Sequence, residues 1–262
     1  IIERLATVLS LAIYRIKSEE ELLSALIKQQ ELNDLKSSFI SMVSHEYRTP
    51  LQAILMSTQL LANYGEKISQ ENRSKYFNMI EESVKTMDNF LNDIISYNKV
   101  EKGKIKIEYD IIDIEQFILS FVREMQFIAG DKCIIDLTLK NGNRLARIDQ
   151  RIIRQILENL LNNAIKFSPY NSTVKFDVNV YNDSIEFIIA DEGVGIKNSD
   201  FNKVFDPFFR GKNISNIPGT GLGLPIVKNS LEAINGTIDF TSTINKGTTF
   251  VVNIPLNNEE NI

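Results

Sequence analysis

The stretch FISMVSHEYRTPLQAILMSTQL, Phe39 to Leu60, carries the period that decides the first half of the fold. Phe39, Met42, Glu46, Thr49, Ala53, Met56 and Leu60 follow a three-four alternation, and Ile40, Val43, Tyr47, Ile54 and Leu61 run in a second seam beside it. Two adjacent seams make the wide face that a helical bundle buries, where a single seam would make only a coiled-coil contact. After a break at Asn63-Tyr64-Gly65, the positions Phe77, Ile80, Val84, Met87, Leu91 and Ile94 repeat the alternation. Helix, break and helix predict a hairpin. Two helices alone would leave much of this surface wet, so the pattern predicts a homodimer whose paired hairpins form a four-helix bundle.

Upstream, Leu9, Ala12, Ile16, Leu23 and Leu26 form a heptad-like stripe out of phase with Leu32, Leu35, Phe39 and Met42, as a parallel coiled coil with a phase shift would. Residues 1–34 are accordingly assigned to a signalling helix or coiled coil and 35–101 to the hairpin. The apolar run from Leu5 to Tyr14 lies between Arg4 and Arg15 and is far shorter than the roughly 20 residues a bilayer requires. No membrane contact is expected of it. With no initiator Met and no signal-peptide layout, the chain reads as a fragment whose upstream sensor lies outside it.

From Lys104 the texture changes to short strands at Ile105 to Tyr109, Ile134 to Leu139, Thr173 to Val180, Ile185 to Ala190, Thr237 to Ser242 and Thr248 to Ile254. Helices are predicted at Ile114 to Ala129, Asp149 to Lys166 and Gly223 to Asn235. The two strands flanking Tyr181-Asn182-Asp183-Ser184 read as an antiparallel hairpin, so residues 104–257 are expected to form a layered α/β sandwich and not a Rossmann fold. The fold class of the whole is α+β.

Composition narrows the function. With 43% hydrophobic and 24% charged residues in 262, the chain is ordinary globular protein with room for two cores. Acidic residues outnumber basic ones by 34 to 29 and no dense Lys/Arg block occurs, so nucleic acid is not an expected partner. Cys133, the single cysteine, has neither a disulfide partner nor companion metal ligands; a reducing, cytoplasmic compartment fits it.

His45 is the only histidine. At about 100° per residue both seams leave it roughly opposite the buried face, so the imidazole should project into solvent from a rigid helix. Its surroundings, Ser44-His45-Glu46-Tyr47-Arg48-Thr49-Pro50-Leu51, resemble the H-box of sensor histidine kinases, with Tyr47 where that family usually has Leu. The resemblance implies that His45 is the phosphoacceptor, that the carboxylate of Glu46 holds or receives the proton on the non-attacking nitrogen, and that Thr49 serves dephosphorylation of the partner. Thr49 has a capping or packing role as its alternative. Pro50 removes a helix hydrogen bond and should bend the helix, either to loosen the bundle in signalling or as a plain kink. The first helix, Leu5 to Leu22, resembles the closing helix of a GAF-type sensor domain.

Five further segments, in order, resemble the GHKL (Bergerat) ATP-binding domain that histidine kinases share with gyrase, chaperone and mismatch-repair ATPases. Glu158 to Phe167 matches the N-box; Asn159 and Asn163, one turn apart, offer amide oxygens suited to Mg²⁺ on ATP phosphates, and Lys166, followed by Phe167, can neutralise phosphate charge. Asp191-Glu192-Gly193-Val194-Gly195-Ile196 matches the D-x-G-x-G box, in which the carboxylate accepts from the adenine amino group and Gly193 and Gly195 let the backbone approach the base. Phe205 to Gly211 matches the F-box, whose aromatics, among them Phe208, anchor a lid from which Arg210 could reach the terminal phosphate. Gly219-Thr220-Gly221-Leu222-Gly223-Leu224 opens a helix whose free amides favour phosphate oxygens, and Pro225, where the family usually has Ala, forfeits an amide that has no partner in a first turn. Lys246 to Phe250 matches the last glycine box, in which Thr248 assists Asp191.

Taken together these matches imply ATP-dependent autophosphorylation followed by transfer to the aspartate of a response-regulator receiver domain. A superfamily ATPase would place a glutamate base where Asn159 stands, with Glu158 turned about 100° away. A non-catalytic nucleotide-binding scaffold would be signalled by loss of His45, Asn163 or Asp191, all of which are present.

Overall fold

The computed structural model describes residues 2–64, 68–101, 106–142, 144–211, 214, 217 and 219–256, and within its helices the side chains of 2–13, 31, 32, 34–36, 38 and 98–101 fall outside the description. The chain divides into two compact units, Ile1–Met87 and Asp88–Ile262.

The first unit is built from α1 (Ile2–Tyr64) and the opening turns of α2 (Gln70–Glu101). No helix boundary separates the expected signalling segment from the hairpin: α1 runs through all 63 residues. The reason is local, since the segment has no glycine and its one proline, Pro50, is absorbed within the helix and buried. Ser69 starts α2 by accepting the Asn72 amide at 3.3 Å. Gly65, part of the predicted break, lies outside the described residues.

Burial splits each predicted seam. Met42, Val43, Tyr47, Ala53, Ile54, Ile80 and Met87 are half-buried, and Ser57 and Ser83 are buried outright. Ile40, Met56, Phe77, Val84 and Leu91 remain 45–64% exposed. One chain thus covers part of each seam and leaves large apolar side chains of both helices in water. In the upstream stripe Ile16, Leu23 and Leu26 are exposed, whereas the side chains of Leu9, Ala12, Leu32 and Leu35 lie outside the description.

The second unit continues through β1 (Asp110–Asp113), α3 (Ile114–Ala129), β2 (Cys133–Lys140), β3 (Leu145–Ile148), α4 (Gln150–Phe167), β4 (Ser172–Val180), β5 (Ser184–Ala190), a 3₁₀ turn (Asn198–Lys203), α5 (Gly223–Ala233), β6 (Thr237–Thr243) and β7 (Gly247–Pro255). Its main sheet has the order β2-β4-β5-β7-β6, with β2 parallel to β4 and the remaining neighbours antiparallel. On β4 and β5 the residues Val174, Phe176, Val178, Ile185, Phe187 and Ile189 are buried, alternating with partly exposed positions. The helices therefore cover one face only. Against that face α4 sets Ile153, Ile156, Leu157, Leu160 and Leu161, all within 1% of full burial. Each such side chain contributes about 1.5–3 kcal/mol, enough to lock α4 and fix the direction of its polar side.

Asp149 secures the start of α4. Its carboxylate accepts from the amides of Arg151, Ile152 and, across the sequence, Glu108, at 3.0, 3.3 and 2.8 Å. Burial alone would raise its pKa, but Arg151 and these amides outweigh that and hold it below the ordinary carboxylate value.

The edge departs from the sequence expectation. Ile105 is outside the described residues and Lys106 to Tyr109 are irregular; the strand is Asp110–Asp113, paired antiparallel with Leu145–Ile148, which the sequence reading did not foresee. Four-residue strands are too short to establish an alternation.

Candidate functional site

On α1, the His45 side chain is 76% exposed and Glu46 only 20%, with Nδ1 and a Glu46 carboxylate oxygen 3.6 Å apart. That separation is just beyond a hydrogen bond, so a small rotation brings the carboxylate onto Nδ1 and leaves Nε2 outward. Thr49 stands one turn on, exposed, its hydroxyl donating to the His45 carbonyl at 3.4 Å. Pro50 supplies no amide to the Glu46 carbonyl behind it.

The second unit carries a cleft with two lobes that share Asn163, Phe167, Phe209, Arg210 and Leu224 among others. The larger lobe, about 760 Å³, is lined by Asn159, Asn163, Lys166, Gly219, Thr220, Gly221 and Gly223 among others. Its size suits a nucleotide's sugar and phosphates. Asn159 donates from Nδ2 to the Gln155 carbonyl at 2.8 Å, which turns its amide oxygen toward the start of α5. A Cβ on Gly223 would lie 3.0 Å from that oxygen and 3.7 Å from Asn163 Nδ2. A Cβ on Gly219 would lie 2.3 Å from Lys166 Nζ. Glycine at both positions thus keeps open a cradle bounded by two amides, an ammonium and the first turn of α5, where Gly223 and Leu224 have no intrahelical acceptor for their amides. Pro225 occupies that turn without disturbing it, and the first intrahelical bond runs from Ile226 to Leu222 at 2.9 Å.

Thr220 accepts from the Leu222 amide at 3.2 Å and donates to the Asp93 carboxylate at 3.1 Å. Burial pushes the Asp93 pKa up, against the opposing effects of Thr220 and the charge of Lys166. Asp93 was not expected here; a lone acidic residue on an amphipathic helix gives no sequence signal.

The smaller lobe, about 100 Å³, is lined by Asp191, Val194, Gly195, Ile196, Thr248 and Phe250. Asp191 Oδ1 accepts from the amides of Gly193 at 2.7 Å and Thr248 at 3.3 Å. Burial raises its pKa above the ordinary carboxylate value, and the two amides limit the rise. Close approach explains the glycines: a Cβ on Gly195, at φ +66°, would be 2.2 Å from the Thr243 carbonyl oxygen, and one on Gly193 would be 2.7 Å from both Asp191 Oδ1 and the Phe167 carbonyl oxygen.

In the F-box segment Phe208 lies outside both linings. It adopts φ +66°, stacks edge-on against Tyr97 at 6.1 Å, and its amide donates to Gly221. Of the two adjacent phenylalanines it is Phe209 that faces both lobes. Two consecutive phenylalanines are indistinguishable in sequence until the backbone twist between them is known. Arg210 lines both lobes, and its guanidinium donates to the carbonyls of Ile214 and Ile217. Leu222 is fully buried and supports the loop from beneath, while Leu224 lines both lobes. Glu158 is 3.5 Å from Arg154, which also holds Glu124 at 2.6 Å.

Residues 35–103 match the model of the His Kinase A (phospho-acceptor) domain, and residues 148–258 match that of the Histidine kinase-, DNA gyrase B-, and HSP90-like ATPase. The circadian input-output histidine kinase CikA of Synechococcus elongatus is 30% identical over 97% of this chain and 37% of its own length. The chain spans about a third of the length of the curated relatives it matches. Among solved structures, the histidine kinase AdeS of Acinetobacter baumannii superposes with a TM-score of 0.60 at 25% identity, over 82% of this chain and 98% of that one. ThkA in complex with the response regulator TrrA shares the fold at a TM-score of 0.62 and 19% identity, over 88% of this chain and 65% of that chain. A phosphoacceptor domain followed by this ATPase domain makes the chain a member of the sensor histidine kinases, carrying their catalytic core.

Proposed function

We propose that this core phosphorylates itself on His45 with MgATP and passes the phosphoryl group to a receiver-domain aspartate. The observation that carries the reading is the exposed imidazole of the chain's only histidine, with the Glu46 carboxylate beside Nδ1. A neutral imidazole attacks through Nε2; the N–P bond forms as the bond from the γ-phosphorus to ADP breaks, and Glu46 stabilises the charge gained on the ring. A receiver carboxylate then attacks the same phosphorus and the N–P bond breaks. ThkA, solved with its response regulator, is the precedent for such a partner.

At the donor site Asp191 and Thr248 would take adenine, while Asn159, Asn163, Lys166 and the 219–224 loop would take the phosphates. Among the described residues no cluster of three His, Cys, Asp or Glu side chains could hold a metal. Mg²⁺ would therefore be held by the asparagine amides together with ATP oxygens, and it supplies charge neutralisation of the phosphates. The position a hydrolase would give to a glutamate base holds Asn159, and Glu158 is engaged by Arg154, which disfavours the hydrolase reading. The split apolar face of the hairpin supports a homodimer. No described helix is long and apolar enough to cross a membrane, and a cytoplasmic location fits both the buried free Cys133 and the ATP requirement. Incubation with γ-labelled ATP and Mg²⁺ tests the reading: the account expects a protein-bound label stable in base and lost in acid. Absence of label, or an acid-stable ester, would overturn it.

A further inference from the structure

Beneath the smaller lobe lies a pair of hydroxyls that only in part belongs to the recognised boxes. Ser242 of β6 is opposite Thr248 of β7 in the sheet register, and their Oγ atoms are 2.9 Å apart. The Ser242 oxygen meets two further groups, the amide of Ile196 at 2.8 Å and the carbonyl of Gly247 at 2.9 Å. A serine hydroxyl has one proton and two lone pairs.

The two backbone partners decide how these are used. The Ile196 amide can only donate and the Gly247 carbonyl can only accept. Ser242 therefore gives its proton to Gly247 and accepts from both Ile196 and Thr248. Were it instead to donate to Thr248, oxygen lone pairs would face each other across the Gly247 contact, an expensive arrangement where Thr248 is 6% exposed. The Thr248 proton is thus committed away from the lobe, and its remaining lone pairs serve the lobe it lines.

Next to it, Asp191 Oδ1 already accepts two amides, and Oδ2 has no hydrogen-bond partner among the described residues. This end of the lobe offers acceptors only. We infer that Ser242 is a positioning residue: by fixing the polarity of Thr248 it makes the site read a base with an exocyclic amino donor, adenine, against one with a carbonyl at that place. The inference rests on the adenine reading of Asp191 and Thr248. Ser242 touches no nucleotide itself; it acts through Thr248.

The test is calorimetric titration of the full chain with ADP and with IDP, whose base has a carbonyl in place of that amino group and, with it, a proton on N1 where adenine has a lone pair. Wild type prefers ADP. Ser242→Ala frees the Thr248 hydroxyl to rotate and donate, and lowers the ADP-to-IDP affinity ratio by about fivefold or more. Ser242→Thr, which retains a hydroxyl, restores the ratio. Thr248→Val also lowers it, and in that background Ser242→Ala has no further effect on the ratio. Equal weakening of both nucleotides by Ser242→Ala would make Ser242 merely structural and overturn the inference. An unchanged ratio in Thr248→Val would overturn it as well, whether or not Ser242→Ala folds. A wild type that fails to prefer ADP would instead overturn the adenine reading beneath it.

Discussion

The two units solve the problem of presenting a reactive group in opposite ways. In the nucleotide unit the proposed site residues are backed by a core: Asp191 directly follows a strand whose Ile185, Phe187 and Ile189 are buried, and the asparagines ride on a helix pinned by five buried aliphatics. In the hairpin unit the reactive imidazole is exposed on a helix whose own apolar face is only half covered. A site that must bind a small ligand needs enclosure, whereas a site that must be visited in turn by a kinase domain and a receiver needs access. The first can be stable as one chain, and in the proposed homodimer the second would draw its rigidity from a second copy.

The largest expected effect follows from that dependence. Placing charges at Met56 and Val84, which are 64% and 52% exposed in one chain, as Met56→Glu with Val84→Glu, should abolish a homodimer at micromolar concentration, because buried unpaired carboxylates cost several kcal/mol each. Light scattering checks this, and a wild type already monomeric at that concentration would break the comparison. ADP binding, a property of the other unit, should persist in the variant.

A smaller effect is expected at Asp191. Asp191→Asn puts an amide where the cleft needs an acceptor and should weaken ATP binding by roughly 1–3 kcal/mol, measured by calorimetry. Its pKa, raised by burial, sets the direction of a pH effect: the ionised form accepts the adenine amino group, so affinity falls as pH drops through that raised pKa. In the free protein the sign reverses. A raised carboxylate pKa contributes stability that is full below the unfolded value and is lost as pH rises through the folded one. The Asn variant should lose both dependences, and a pH profile of affinity unchanged by the substitution would refute the assignment.

Least affected should be autophosphorylation in Thr49→Ala. The hydroxyl is bonded to the His45 carbonyl and exposed, so its loss costs little stability. Held one turn from His45, it could also hold a water in line with an aspartyl phosphate. Kinase and transfer rates should stay near wild type while dephosphorylation of the receiver falls steeply; equal loss of all three would mark Thr49 as structural.

The long helices were legible because their apolar period extends over many turns, and the boxes because residues such as Asn159, Asn163 and Asp191 recur at fixed spacings. The β1–β3 pair was not, since four residues establish no period. Phe209 was hidden behind Phe208, because only the positive φ of Phe208 shows which ring turns inward. Ser242 was hidden for another reason: its chemistry depends on Ile196, forty-six residues away, reaching it through the fold. Arg210 shows the converse, a motif residue whose partners in this structure include the carbonyls of its own segment.

The proposed phosphoryl transfer from ATP turns on one side chain, His45. The most direct measurement is acid-labile incorporation from γ-labelled MgATP into wild type and His45→Gln, with ADP affinity of both proteins measured alongside. The account predicts label on wild type, none on the variant, and equal ADP affinity; label persisting on His45→Gln would contradict it.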